Sequence, residues 1–314
     1  MTKTIGKKAV DILNGKALNV IILFSMLLLA LLYSDEIANS VRSGLSICAS
    51  VIIPSVFPFM VIADFLHSSI DFSALNCFGN LFEKAFKINR SGLCPFILGI
   101  LCGFPLGVKS SVELYSAGYI SKDEAERLIG FTNNTGPAFL VSGIGLGLRN
   151  NITDGIILYL TMVLSSVIVG ILFSMKSEKY ICSEKPPSKK TYSLTTSIKQ
   201  AGSNTLTVCS FLTFFACFCG LLRKTLGESY PYLVIISLLE VGSSTSILSK
   251  TSLLNPELSL ILTSFAVSFS GLSVHMQALS FLSDTDLSTL KYFKMKLSQG
   301  LIASVITYIT LLIK

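Results

Sequence analysis

Between Ser91 and Val108 the chain reads Ser-Gly-Leu-Cys-Pro95-Phe-Ile-Leu-Gly99-Ile-Leu-Cys-Gly103-Phe-Pro105-Leu-Gly107-Val, with no charged residue. A bilayer core needs about 20 apolar residues per helical span, and this stretch is nearly that long. Pro95, Gly99, Gly103, Pro105 and Gly107 would nevertheless break a continuous helix. The stretch therefore reads as a hairpin that enters and leaves the membrane on one side. The rest of the fold follows from that choice.

Seven further windows carry no charge: 17–34, 44–63, 128–148, 155–175, 200–222, 258–283 and 297–313. A ninth apolar window, 229–249, contains only Glu240. Charged residues make up 14% of the 314 and mean hydropathy is +0.69, against about 25% charge in soluble domains. A soluble enzyme, a secreted disulfide scaffold and a disordered chain are excluded, which leaves an all-α polytopic membrane protein. The eight cysteines have no metal or redox spacing and read as small buried hydrophobes. The first window follows Lys3, Lys7, Lys8 and Lys16 but is long for a signal peptide and lacks a small-x-small site, so it reads as a retained helix.

Lys and Arg decide the topology. If all nine windows cross, they divide 13 to 12 between the two sides. If 91–108 and 229–249 are re-entrant, they divide 19 to 6, which the positive-inside rule selects. The expectation is seven crossings in the cell membrane, with the N-terminus and the 176–199 linker cytoplasmic. The net charge of +7 lies in short blocks between windows, so it sets orientation and forms no nucleic-acid groove.

The order helix, re-entrant hairpin, broken helix, helix then occurs twice. Three crossings per unit turn the second copy upside down, giving an inverted repeat. The expected organisation is 1–43 as cytoplasmic N-terminus and extra transmembrane helix, 44–175 as first repeat, 176–199 as linker and 200–314 as second repeat.

The breaks are the candidate sites. Pro137 has no N–H, so the Asn133 carbonyl loses its helical partner, and Asn133, Asn134, Thr135 and Gly136 stand at that point. They form either a solute or ion site or a proline kink re-satisfied by its neighbours. Glu240, with Gly242 and Ser243, is an acidic residue at membrane depth, so it is either a functional carboxylate or one lying shallow enough to reach water. Around the first hairpin tip are Gly103, Pro105, Gly107, Lys109 and Glu113. The last two could pair with each other, or one could partner Glu240. Ser270, Ser273, His275 and Gln277 surround the second break, the histidine being a ligand or a structural partner. Ser121 and Glu124 have capping-box spacing, and Asp123, Glu124, Glu126 and Arg127 read as a solvated turn. No enzyme signature is present: Gly103 to Lys109 has the wrong spacing for a phosphate loop, and no catalytic residue or bound metal is expected.

Three segments carry a resemblance: Gly103-Phe-Pro-Leu-Gly-Val-Lys109, Gly118-Tyr-Ile-Ser-Lys-Asp-Glu-Ala-Glu-Arg127 and Phe131-Thr-Asn-Asn-Thr-Gly-Pro137. Leu238-Leu-Glu-Val-Gly242, Ser270-Gly-Leu-Ser-Val-His-Met-Gln277 and Tyr292-Phe-Lys-Met-Lys296 extend it. Over roughly 44–313 they resemble the YlbJ family of sporulation integral membrane proteins, which is similar to the nucleoside-recognition Gate domain group. One departure is Ser243 and Ser244 after Gly242, where such motifs are richer in glycine and asparagine. The resemblance implies an endospore-forming bacterium and spore cortex formation.

The expected function is transporter-like movement of a small polar solute, nucleoside-like or ion-coupled. No cofactor is expected, with Na+ or H+ as the candidate coupling ion. The partners are membrane lipid and the solute, with no nucleic acid, and a homo-oligomer or a sporulation-protein partner stays open. The alternative is a non-transporting scaffold that positions cortex-assembly proteins through the basic linker.

Overall fold

The computed structural model describes residues 20, 24–69, 76–175 and 193–313. The lysines of the N-terminus, most of the 176–199 linker, Cys182 and Lys314 lie outside these residues. Every described element is helical. Helix α1 is Phe24–Leu32. It is followed by α2 Ser34–Ile47, a π-helix Cys48–Ile52, α3 Ile53–Ser69 and α4 Asn76–Phe86. Next come α5 Leu93–Leu101, α6 Leu106–Ser116, α7 Lys122–Thr132, a second π-helix Ala138–Leu148 and α8 Ile152–Ser174. The remainder is α9 Leu194–Leu226, α10 Tyr230–Leu239, α11 Val241–Leu248, α12 Pro256–Phe269, α13 Gly271–Leu282 and α14 Thr289–Ile313.

Four helices are long and apolar enough to cross a membrane: α8, α9, the run Pro256–Leu282 and α14. A fifth arises if α1 and Ser34–Ile52, bent by 94°, form one span. The 23 residues of α8 give about 35 Å, enough for a bilayer core. The windows 91–108 and 229–249 are each a pair of short helices, the first interrupted around Gly103 and Pro105 and the second at Glu240, while Pro95, Gly99, Gly107 and Gly242 lie within the helices. Window 128–148 is divided by a non-helical stretch at 133–136. Residues 34–43, the charged stretch between the first two apolar windows, are helical. Asp35 and Glu36 suit the first turn of α2, and Lys224 on α9 pairs with Glu36 at 2.7 Å. The boundary drawn at 43 and 44 thus falls inside a helix.

Polarity is inverted relative to a water-soluble bundle. Leu160, Leu164 and Leu172 on α8 and Leu301, Val305 and Leu312 on α14 are exposed, whereas Ser165, Ser166, Gln299 and Thr307 on the same helices are buried. Of the most apolar 18 residues of the run Pro256–Leu282, 67% are buried, against 28% in α14, so the broken helix is the more central of the two. Cys48, Cys94, Cys209, Cys217 and Cys219 carry free thiols.

The start of α7 departs from expectation. Its capping box forms, Ser121 Oγ accepting from the Glu124 backbone while Glu124 Oε2 accepts from the Ser121 N–H. Yet Glu124, Glu126 and Arg127 are buried. Arg127 donates to the Phe86 and Lys87 carbonyls, to Ser174 Oγ and to Asp123. Glu126 accepts from the Ser288 N–H. These charges tie the ends of α4 and α8 and the α13–α14 loop together, so a turn read as solvated is an internal clamp. At the other end of α8, Arg149 binds Asp154, Ser259 and the Pro256 carbonyl.

Candidate functional site

The first site begins where α7 stops. With no N–H at Pro137, backbone 133–136 leaves the helix, and Asn133, Asn134 and Thr135 are completely buried. The α5–α6 hairpin covers this break. A Cβ added to Gly99 or Gly107 would collide with the Thr132 carbonyl oxygen, and one added to Gly103 would lie 2.5 Å from the Gly136 nitrogen. Gly103 also has φ of +80°, so the tip turns as only glycine does without strain. Pro105 caps the start of α6.

The Asn133 carbonyl is taken from the far end of the chain. Lys296 Nζ donates to it at 2.7 Å and to Gln299 Oε1 at 2.7 Å. Gln299 Nε2 donates to Asn134 Oδ1 at 2.8 Å, and Asn134 Nδ2 donates to the Phe131 carbonyl and Ser166 Oγ. Asn133 Nδ2 donates to Tyr292 OH at 2.6 Å, and that hydroxyl is 2.8 Å from His275 Nδ1. Three polar residues of α14 thus complete a break made in the first half.

The second site mirrors this placement with different chemistry. Ser270 and Gly271, at φ of +80° and +68°, separate α12 from α13. The α10–α11 tip covers them: a Cβ on Gly271 would lie 3.2 Å from the Glu240 and Val241 nitrogens. Glu240 is extended between the two hairpin helices, and its carboxylate accepts from the N–H groups of Gly242 and Ser243. It is completely buried, so its carboxylate does not reach solvent. Two N–H groups at a helix start offset part of its desolvation.

The breaks meet through Thr135, whose Oγ1 donates to the Val267 carbonyl at 2.8 Å. Ser273 and Gln277 are buried beyond the second break, and Ser243 is nearly so. Among the described residues six buried side-chain atoms have no hydrogen-bond partner; Asn133 Oδ1, Ser268 Oγ, His275 Nε2 and Gln277 Oε1 lie at or near the breaks, and Ser197 Oγ and Asn204 Nδ2 lie on α9. Lys109 and Glu113 stand apart from this set. Lys109 is half-buried and Glu113 exposed, and among the described residues no ion pair joins either to the other or to Glu240. Helical i,i+4 spacing permits such a pair without compelling it.

Sequence reasoning missed Lys296, Gln299 and Tyr292. Lys296 was counted as a loop charge, yet α14 starts at Thr289 and places it completely buried two turns inside. The readable signal was a stripe: Tyr292, Lys296, Gln299, Ala303 and Thr307 recur at helical spacing and share one buried face. The polar groups at the breaks are amides, hydroxyls and carbonyls, joined by the Lys296 ammonium at the first and the Glu240 carboxylate at the second. Among the described residues no three His, Cys, Asp or Glu come together as a metal cluster would.

The chain is similar to the sporulation integral membrane protein YlbJ of Bacillus subtilis (strain 168). The two are 27% identical over 311 residues, 84% of this chain and 75% of that protein. No family model and no solved structure matches the chain. The integral membrane relative and the apolar helices make this a multi-pass membrane protein.

Proposed function

We propose that the protein acts in sporulation as a transporter-like membrane protein, moving a small polar solute during spore cortex formation. One observation carries the reading: two hairpin-covered helix breaks meet inside the bundle through Thr135 and Val267, with unpartnered polar atoms at or beside both. A buried polar group without a partner costs about 1–3 kcal/mol, so such atoms are retained where a polar guest pairs with them. Broken helices facing each other near mid-membrane are the usual setting for solute sites in secondary transporters.

In this reading the repeats 44–175 and 200–314 are inverted copies that rock about the Thr135–Val267 contact. The N-terminus and the 176–199 linker lie in the cytoplasm. The name of the relative supplies sporulation, and the resemblance to Gate domains supplies nucleoside-sized solutes.

Flux of labelled nucleosides and other small polar solutes into proteoliposomes tests it, comparing wild type with Asn134→Ala and Glu240→Gln. Asn134→Ala removes the acceptor for Gln299 and two donations, and is expected to lower flux by about tenfold or more. Equal flux in all three would end the site assignment. If nothing in the panel moves and a neutral replacement of 176–199 abolishes sporulation, the scaffold reading takes its place.

A further inference from the structure

The transport reading gives the Lys296 ammonium no part, and its partners are unusual for a buried lysine. Nζ stands on two oxygens at 2.7 Å, a backbone carbonyl and the Gln299 amide oxygen. Among the described residues no ion pair places a carboxylate on it. The carbonyl is available only because Pro137 supplies no N–H for Asn133. A third oxygen, the Asn133 side-chain Oδ1, is completely buried and unpartnered. Unwound-helix carbonyls and amide oxygens, without a compensating acid, are the donors that replace the hydration shell of a monovalent cation.

We propose that the break at Asn133–Pro137 is a monovalent-cation site and that the ammonium of Lys296 fills it. The cation is tethered covalently to α14, so the closed bundle needs no Na+ at this point. The site is built by the first half and its occupant delivered by the second. An inorganic ion would have left the halves independent here, whereas Lys296 makes their packing and the filling of the site one event. This deepens the transport reading, since it takes the break as a binding site.

The test is thermal unfolding of the purified full-length protein in detergent, at constant ionic strength, in choline, Na+ or ammonium chloride. The wild-type midpoint is expected to be the same in all three. Lys296→Ala is expected to unfold earlier in choline and to regain about 2–4 °C in Na+ or ammonium, the shift given by a ligand at roughly ten times its Kd. Lys296→Met, which keeps the apolar stem, is expected to show the same cation dependence. A wild type that Na+ stabilises as much as the variants would overturn the proposal. So would variants equally unstable in all three salts, or variants that give no folded protein even with ammonium and Na+ present. Because the readout is stability, a negative result here leaves the flux experiment standing, and the reverse also holds.

Discussion

The two hairpin-and-break junctions solve one problem in opposite ways. Each interrupts a helix inside the membrane protein, and each must satisfy the backbone it exposes. At the first junction the orphaned Asn133 carbonyl is bound by Lys296, 163 residues away, with Gln299 and Tyr292 of the same helix completing the network. At the second, Glu240 turns its carboxylate onto the N–H groups two and three residues on. The first junction is held by several bonds from the other half of the molecule, whereas the second closes its own hairpin tip and takes one bond, from Thr135, across the bundle. The difference teaches where coupling between the halves resides. Disturbance at the first junction is transmitted across the bundle, and disturbance at the second stays local.

The hairpin tips should reveal the contrast most strongly. Gly107→Ala drives a Cβ into the Thr132 carbonyl, backbone against backbone at the point where α7 ends. The expected loss is about 3 kcal/mol or more, the upper range for overpacking, with Lys296 and its partners displaced. Gly271→Ala meets only the Glu240 and Val241 nitrogens at 3.2 Å, and its main penalty is the positive φ, about 1–2 kcal/mol. Chemical unfolding in detergent micelles measures both. Equal losses would erase the distinction between a tight and a loose junction.

What the sequence disclosed follows the same division. Features decided within a dozen residues were legible: both hairpins from their glycines and prolines, both breaks, and the α7 capping box. Features decided by contact across the chain were not. Lys296 carries the charge that topology rules assign to loops, and only the start of α14 at Thr289 puts it inside. Arg127 and Glu126 read as solvated because nothing local reveals that Phe86, Ser174 and Ser288 surround them. Lys109 and Glu113 failed for the reverse reason, since their local spacing suggested a pair that tertiary placement did not form.

A smaller effect tests the direct link between the breaks. Thr135→Val removes the hydrogen bond to the Val267 carbonyl with little change in shape, and should lower stability by about 1 kcal/mol. Ser270 makes only a 3.4 Å bond to that same carbonyl and is held at φ of +80°. Ser270→Gly relieves the strain and should raise stability by up to about 1 kcal/mol, less what glycine loses in chain entropy. Opposite signs at neighbouring positions, read as shifts in unfolding midpoint, are the expected outcome. Two losses of similar size would mean that the second break depends on its side chains as the first does.

The smallest effect lies at the open end of the first hairpin, which is also held from the other half. Tyr115 on α6 and Lys122 at the start of α7 both donate to Asp286 in the α13–α14 loop, at 2.7 and 2.9 Å. The Lys122 hydrogen bond, and then that of Tyr115, holds the Asp286 carboxyl below its ordinary value of 3.8. A carboxylate depressed on folding contributes above its unfolded value and loses that contribution as pH falls through the folded one. The exposed tether is screened by salt, so Asp286→Asn should move the unfolding midpoint by no more than about 1 °C at neutral pH and low salt. That gap should close as pH drops below 3.8, and also in high salt at neutral pH. A gap that persisted under both conditions would mean that the loop is held by shape. The coupling of the first junction to the second half would then rest on the buried contacts of Lys296, Gln299, Tyr292 and Thr135, with nothing added by the Asp286 charge.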